Sequence, residues 1–195
     1  MERALIGYGG HAREIMSQMG CCLTCFVDDE FVCEHTRPLS EFDHNKYEVM
    51  VAVGDSMLRR QLVSKLPANT TYFTFIHPTA LIMDLNISVG EGSFIGANCI
   101  LTTNIKLGKH ALLNRSNHLS HDCSIGDFFS AMPCAVVSGS VSIGDNVYLG
   151  ANSCIKEKIA IRDNIIIGMC AAVVTNINEP GCYVGIPAHA QNVNK

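Results

Sequence analysis

The sequence predicts a two-domain chain, in which a small parallel α/β domain is followed by an all-β parallel β-helix. Two observations carry this prediction: strands alternate with helices up to residue 76, and an aliphatic residue then recurs at every sixth position. Alternating strands and helices are typical of a parallel sheet, and a sustained period of six is typical of a β-helix. We therefore expect one domain over residues 1–76 and a second over residues 77–195.

The hexapeptide repeat runs without insertion from Val89 to Val173, and fourteen of its fifteen aliphatic positions are Val, Ile or Leu, with Ala131 as the exception. Each hexapeptide supplies one short strand and one corner, and its aliphatic side chain points into the shaft. Recurrent Gly and Asn suit corners that need left-handed αL backbone. Each buried aliphatic side chain contributes roughly 1.5–3 kcal/mol, but only stacked coils can bury it.

The first 76 residues contain punctuated apolar runs that predict four strands and two helices. The expected strands are 4–7, 23–27, 49–53 and 71–76. The first expected helix is opened by the segment 7–12 and ends at Met19, and the second spans 57–66. Pro67 ends the second helix, and His77-Pro78 marks the passage into the first coil of the β-helix.

A glycine-rich turn follows the first strand and has the form G-x-G-x-x-A from Gly7 to Ala12, with Asp28 at the end of the next strand. This pattern is the dinucleotide-binding fingerprint of Rossmann-like domains. The domain is about half the size of a full dinucleotide-binding fold, so we expect it to hold one nucleotide. The site should lie at the carboxyl ends of the first three strands, which carry Gly9, Gly10, His11, Asp28, Asp29, Gly54 and Asp55.

Composition excludes several classes of protein. The net charge is −4 and no basic run is present, which argues against a nucleic-acid partner. The longest apolar run, residues 165–174, is far shorter than the ~18 residues of a membrane span. The charged fraction of 16% is low for a monomer and favours an oligomer.

Ten cysteines and an N-terminus that enters directly into a strand suggest a cytoplasmic protein with reduced thiols. Cys22 and Cys25 form a CxxC pair, but no second pair or HxxxH motif accompanies it. We therefore interpret them as ordinary thiols and expect no metal site.

The combination of these motifs resembles the NeuD/PglD-type sugar acetyltransferases over nearly the full length. The motifs are Gly7-x-x-Gly10-His11, Val27-Asp28-Asp29, Val53-Gly54-Asp55 with Arg59, His77-Pro78-x-Ala80, Asn114, His121-Asp122-Cys123-x-Ile125-Gly126-Asp127 and Gly185-x-Pro187-Ala188. The resemblance implies a left-handed β-helix, a homotrimer with clefts between subunits, acetyl-CoA as donor and a nucleotide-linked amino sugar as acceptor.

The resemblance also implies residue roles. His121 matches the general base and Asp122 its carboxylate partner, while Gly9, Gly10, His11, Asp28, Asp29 and Gly54 match the sugar-nucleotide positions. Ser130, Ala151 and Met169 match positions that contact acetyl-CoA. Ser130 replaces a His of some relatives, Met169 replaces a Gly, and His189 stands where Lys is frequent.

Direct acetyl transfer to an amine needs a base and a group that stabilises the oxyanion. A histidine accepts the amine proton, an adjacent carboxylate fixes its tautomer, and a glycine amide, with Gly139 as candidate, stabilises the oxyanion. Consecutive strand residues point to opposite sides, so Asp122 can pair with His121 only at a corner. His118 is a rival base.

Four functions are compatible with these motifs to different degrees. The leading prediction is N-acetylation of a UDP- or dTDP-linked amino sugar. The second is O-acetylation of a sugar such as sialic acid, and the third is a non-catalytic sugar-nucleotide-binding protein. A nicotinamide-dependent oxidoreductase would need the second half of the dinucleotide fold, which is missing.

Overall fold

The computed structural model describes residues 1–191 and has the two predicted domains. The N-terminal domain consists of β1 (Glu2–Ile6), α1 (Gly10–Met19), β2 (Thr24–Val27), β3 (Arg37–Pro38), β4 (Tyr47–Val51) and α2 (Ser56–Lys65), with short 3₁₀ turns at Asp29–Phe31 and Leu39–Glu41. Its four strands are parallel, in the order β3-β2-β1-β4. The parallel α/β domain predicted from alternating strands and helices is confirmed.

The remaining strands form a left-handed β-helix with three faces. The first sheet contains β7 (Ser88–Val89), β10 (Lys106–Leu107), β13 (Ser124–Ile125), β16 (Ser142–Ile143) and β19 (Ala160–Ile161). The second contains β5 (Phe75–Ile76), β8 (Phe94–Ile95), β11 (Leu112–Leu113), β14 (Ser130–Ala131), β17 (Tyr148–Leu149), β20 (Ile165–Ile167), β22 (Gly181–Val184) and β23 (His189–Ala190). The third contains β6 (Leu81–Ile82), β9 (Ile100–Leu101), β12 (His118–Leu119), β15 (Val136–Val137), β18 (Cys154–Ile155) and β21 (Ala172–Val173).

From β7 to β21, neighbouring strands of each sheet pair in parallel at a spacing of eighteen residues, for example Leu107 with Ile125 in the first sheet, whereas β23 pairs with β22 in the antiparallel direction. Three hexapeptides therefore make one coil. We call the bends after the first, second and third sheets the first, second and third corners; in one coil they comprise residues 108–111, 114–117 and 120–123. Residues eighteen apart occupy the same column, so chemistry at a corner is set by residues from successive coils.

Every corner between residues 90 and 171 uses left-handed backbone at the same position of the hexapeptide. Positive φ occurs at Gly92 and then at Asn98, Asn104, His110, Ser116, Asp122, Phe128, Cys134, Ser140, Asn146, Asn152, Lys158, Asn164 and Cys170. Asn98, Asn104, Asn146, Asn152 and Asn164 thus occupy αL corners as predicted.

The prediction was wrong for the glycines that follow the aliphatic residues, because none of them has left-handed φ. A Cβ added to Gly90 would lie 2.5 Å from the backbone carbon of Gly108, and one added to Gly108 would lie 2.5 Å from that of Gly126. These glycines allow successive coils to stack closely.

The aliphatic column fills the shaft of the β-helix. Ile95, Leu101, Leu113 and Ile155 are fully buried, and burial of this kind supplies most of the stability of a stacked repeat. Ala131, the one small residue of the column, lies in the same buried cluster as the large side chain of Phe129.

The predicted strand 71–76 is divided between the two domains. Phe73 N donates to Val49 O beside β4 at 3.1 Å, whereas Phe75 and Ile76 pair with β8 in the second sheet. The β-helix therefore begins two residues before the predicted boundary at residue 77.

The N-terminal domain packs on the second sheet and the two corners beside it. The His11 ring meets Phe94 edge-on at a centroid distance of 5.6 Å, and Gln18 Oε1 accepts from Ala97 N at 2.9 Å. The third corner lies on the side of the β-helix away from this contact.

No helix within residues 1–191 is long and apolar enough to cross a membrane. All ten cysteines are unpaired, and among the described residues no three His, Cys, Asp or Glu side chains are grouped so that they would hold a metal. Cys22 is exposed and Cys25 is buried, and burial raises the pKa of Cys25 to about 11.

Candidate active site

His121 and Asp122 form a hydrogen-bonded pair at the third corner, between β12 and β13. His121 Nδ1 lies 2.8 Å from Asp122 Oδ2. Asp122 has a φ of 60°, and this left-handed backbone brings its side chain to the same side as the neighbouring imidazole. The structure thus places the pair at a corner, which is the geometry that their adjacency in the sequence requires.

The Asp122 carboxylate is fixed by a second contact from the previous coil. Asn104 Nδ2 donates to Asp122 Oδ1 at 2.6 Å. This hydrogen bond, and the one with His121, lower the pKa of Asp122 below its ordinary value, so the carboxylate is ionised at neutral pH. An ionised carboxylate accepts the Nδ1 proton of a neutral imidazole and leaves the lone pair of Nε2 available.

Gly139 lies one coil further along the column and directly against the His121 ring. A Cβ at this position would lie 2.5 Å from both Cε1 and Nε2 of the imidazole. Within residues 1–191 the Gly139 amide donates to no protein acceptor, while its carbonyl accepts from Lys158 N at 3.0 Å. The Gly139 amide is thus free of protein acceptors within residues 1–191, which an oxyanion donor requires.

The rival histidine, His118, lies on β12 in the third sheet rather than at a corner. In the described part of the chain its side chain makes no hydrogen bond, and no carboxylate orients it. The geometry therefore favours His121 as the base.

The N-terminal domain contains a cavity of about 310 Å³ at the carboxyl ends of β1 and β2. Gly9 and Asp28 line it, together with apolar side chains that include Phe31 and Leu62. Lys65 Nζ contacts the two carboxylate oxygens of Asp28 at 3.1 and 2.9 Å. An apolar cavity with a fixed carboxylate at its wall can accept a nucleobase or a ribose hydroxyl.

The other predicted sugar-nucleotide residues do not line this cavity. Gly10 begins α1, Asp29 Oδ1 accepts from Ser40 N at 3.4 Å, and Gly54 borders a second cavity of about 380 Å³ between α2 and the second sheet. The His11 side chain is largely buried against Phe94. Burial, assisted by the charge of Arg59, lowers the pKa of His11 to about 4, so its ring is neutral.

The residues expected to contact acetyl-CoA are found in two different environments. Ala151 and Met169 are stacked in one column of the second corner, where Cys170 N donates to Ala151 O at 2.9 Å, and Met169 is 76% exposed. Ser130 is fully buried, and its hydroxyl donates to Gly54 O at 3.0 Å. The Ser130 side chain therefore does not reach the surface, and a contact of this residue with acetyl-CoA, expected largely through backbone, stays a prediction.

Sequence analysis gave no role to two residues of these sites. Asn104 lies eighteen residues before Asp122, so the coil register would have placed it beside the carboxylate. Arg59 was noted as part of a motif, but no pattern in the sequence predicts that it is completely buried at the contact between the domains.

Comparison with known proteins agrees with this architecture. The family described as hexapeptide repeat of succinyl-transferase matches residues 86–114 and 140–173. A GDP-perosamine N-acetyltransferase of Escherichia coli O157:H7 is 30% identical over 105 residues, which cover 54% of this chain and 47% of that protein. The match thus spans about half of the length of that relative.

Two solved structures resemble nearly the whole chain. A histidine-to-asparagine mutant of perosamine N-acetyltransferase from Caulobacter crescentus, in complex with CoA and GDP-perosamine, superposes with a TM-score of 0.87 at 23% identity and covers 98% of this chain and 97% of that one. The acetyltransferase domain of PglB from Neisseria gonorrhoeae FA1090, in complex with acetyl coenzyme A, gives 0.82 at 23% identity and covers 97% and 98%. The predicted resemblance is thereby confirmed: this chain is similar to hexapeptide-repeat proteins over residues 86–114 and 140–173 and shares the two-domain fold of these two structures.

Proposed function

We propose that this chain is an N-acetyltransferase that transfers an acetyl group from acetyl-CoA to the amino group of a nucleotide-linked amino sugar. The observation that carries the proposal is the third corner. There the Asp122 carboxylate orients the His121 imidazole at 2.8 Å, and the imidazole fills the space where a Cβ of residue 139 would lie. The similar proteins support the same chemistry, because they act on or bind GDP-perosamine, CoA or acetyl-CoA.

The residues of the corner suffice for direct transfer. The acceptor amine attacks the thioester carbonyl to form the C–N bond, while His121 Nε2 takes the proton that the amine loses. The Gly139 amide stabilises the negative charge on the carbonyl oxygen, and Asp122 stabilises the imidazolium. The C–S bond then breaks, and the CoA thiolate leaves as a thiol after it receives the proton from the imidazolium.

The placement of the two sites supports a homotrimer with composite active sites. The nucleotide cavity belongs to a domain that packs on the second sheet, whereas His121 lies at the third corner, on the opposite side of the same β-helix. A sugar held in that cavity therefore meets the His121 of a neighbouring copy. Ala151 and Met169, at the second corner, are placed to border a donor in the same cleft.

For the nucleotide of the acceptor, the sequence favours UDP or dTDP, whereas the similar proteins act on or bind a GDP-linked sugar. The amino-sugar acceptor is common to both. The ten unpaired cysteines support the expectation of a reducing, cytoplasmic setting for the reaction.

A thiol-release assay with acetyl-CoA and a panel of UDP-, dTDP- and GDP-linked amino sugars tests the proposal. At least one amino sugar should release CoA thiol with formation of an amide, and the matching sugars that carry a hydroxyl in place of the amine should not. His121→Ala should lower kcat by about 10²–10⁴-fold, while the control variant His118→Ala should retain most of it. Release with the hydroxyl sugars alone would instead identify an O-acetyltransferase.

A further inference from the structure

Arg59 is a buried cation that joins the two domains. It lies in α2 and is 2% exposed. Within its own domain, Nη1 donates to Val53 O at 2.7 Å and to Gly54 O at 3.3 Å. Towards the β-helix, the guanidinium donates to His110 O (2.9 Å), Phe128 O (3.0 Å), Phe129 O (3.1 Å) and Ser130 Oγ (2.8 Å).

All of these acceptors are carbonyl or hydroxyl oxygens, and no carboxylate forms an ion pair with Arg59 in the described part of the chain. Burial lowers the pKa of Arg59 to about 10, so the side chain is still charged at neutral pH. A buried charge that forms no ion pair is a poor source of stability compared with an apolar side chain of the same volume. Its six directed contacts are better explained by a need for a defined geometry.

The geometry that these contacts define is that of the turn between β4 and α2. Val53 lines the nucleotide cavity, and Gly54 lines the second cavity between α2 and the second sheet. Ser130 adds another link to the turn, because its hydroxyl donates to Gly54 O at 3.0 Å while it accepts from Arg59. The turn that borders both cavities is therefore fixed to the β-helix from two sides.

We propose that Arg59, together with Ser130, is a positioning residue, which fixes the turn 53–55 on the β-helix and so determines where the acceptor sugar lies relative to the acetyl-transfer corner. The nucleotide cavity is built entirely from residues of the N-terminal domain and does not need this link in order to bind. Transfer of the acetyl group does need it, because the cavity and the catalytic corner belong to different domains. This inference rests on the proposed acetyltransferase function.

Lysine cannot replace Arg59 in this role. Its ammonium has one nitrogen with three N–H donors, whereas the guanidinium presents five donors in a planar fork. A lysine at position 59 keeps the charge but cannot contact the Val53 and Gly54 carbonyls and the 128–130 segment together. Arg59→Lys therefore separates geometry from charge.

The test compares Arg59→Lys and Ser130→Ala with the wild type and with Arg60→Lys, which makes the same change at the neighbouring exposed arginine. Steady-state rates give kcat and both KM values, and calorimetry with GDP, UDP and dTDP gives the affinity for the nucleotide. We expect Arg59→Lys to lower kcat at least tenfold and Ser130→Ala about threefold or more. The best nucleoside diphosphate should bind within threefold of its wild-type affinity, and Arg60→Lys should match the wild type.

The proposal would be overturned if Arg59→Lys and Ser130→Ala both kept the kcat of the wild type. It would also be overturned if these variants lost nucleotide affinity in proportion to their loss of kcat. Hydrogen exchange of residues 53–59 gives a second readout, which needs no turnover and should be faster in both variants. Unchanged exchange would overturn the positioning role even if the wild type is active. If both variants show faster exchange and retain nucleotide binding, but the wild type acetylates none of the sugars, the proposed function is overturned and the positioning role is not.

Discussion

The imidazole of His121 occupies the space into which a side chain at residue 139 would project, because a Cβ there would lie 2.5 Å from Cε1 and Nε2. Gly139 does not have left-handed φ, so its backbone accepts alanine and the clash is confined to the histidine. We predict that Gly139→Ala displaces the ring and lowers kcat by about 100-fold, the usual effect of a misplacement near 1 Å. Circular dichroism should show an intact fold.

A double-mutant cycle checks the cause of that loss. Adding Gly139→Ala to His121→Ala should have almost no further effect on kcat, because the side chain that it displaces is already absent. Fully additive losses would mean that Gly139 acts independently of the histidine.

Asp122 is predicted to support the base rather than to replace it. Its pKa is lowered by the hydrogen bonds from Asn104 and His121, so it stays ionised as the pH falls through the range in which a histidine base is lost. The decline of kcat at low pH should therefore persist in Asp122→Asn, at a smaller overall loss than the ~10²–10⁴-fold expected for His121→Ala. A pH–rate profile in which Asp122→Asn abolishes the acid limb would assign proton transfer to the carboxylate.

If each active site is formed by two subunits, two inactive variants should complement each other when they are mixed in one oligomer. Gly9 lines the nucleotide cavity, and no atom lies within 4 Å of a Cβ added there, so Gly9→Phe should fill the cavity without disturbing the fold. Random mixing of Gly9→Phe with His121→Ala subunits in a cyclic oligomer should restore about a quarter of the sites. Denaturation and joint refolding, followed by the thiol-release assay, measures this recovery, whereas separately refolded samples mixed afterwards serve as the control. No recovery in joint samples would place each site within one chain.

Stability should fall as the pH is lowered from about 6.5 to about 4. Burial, assisted by the charge of Arg59, lowers the pKa values of His11 and His110 to about 4, whereas unfolded histidines titrate near 6.5. Between these values the unfolded chain binds protons that the folded chain does not, so protons favour unfolding, and the full stabilisation is present only above the unfolded pKa.

Thermal unfolding measured from pH 4 to pH 7 checks this prediction. His110→Phe removes one of the two groups, and its ring should pack against Phe128, which lies parallel to the His110 ring at a centroid distance of 5.1 Å. The variant should show a shallower decline in Tm than the wild type. Identical slopes would show that His110 is not responsible.

Asn117 is predicted to stabilise the shaft through its amide. It is fully buried, donates to Asn114 O at 2.5 Å and Ala131 O at 3.1 Å, and accepts from Ala135 N at 2.9 Å. Asn117→Leu keeps the branched shape of the side chain but removes these three hydrogen bonds to the backbone, each of which contributes about 0.5–1.5 kcal/mol. Urea unfolding should show a clearly larger loss for Asn117→Leu than for Cys99→Ala in the same column.

The period of six in the sequence predicted the coils, their aliphatic shaft and the corner that carries His121 and Asp122. The repeat is visible in the sequence because every coil buries the same positions of the hexapeptide, so each of these positions requires the same type of residue. The distinction between αL corners and close-packed glycines was missed because both favour glycine, and they differ only by two positions within the hexapeptide.

The contacts between the domains could not be predicted in the same way. Ser130 and His11 carry motifs that indicate ligand binding, yet both are buried by the docking of the N-terminal domain on the second sheet. Docking depends on the shapes of two surfaces, which no local pattern of residues encodes. The nucleotide cavity, formed within one domain from the ends of adjacent strands, was predictable for Gly9 and Asp28.

The eighteen-residue register restricts how such a chain can change its length during evolution. Insertion of six residues between residues 131 and 138 would rotate every later column by one face, about 120°, and Gly139 would no longer lie against His121. Insertion of eighteen residues beyond residue 158 would leave the Arg59 contacts and the catalytic corner in place and would only lengthen the surface that follows. Whole coils are therefore the unit by which the β-helix can be lengthened or shortened beyond residue 158 without a change in the contacts of Arg59 and His121.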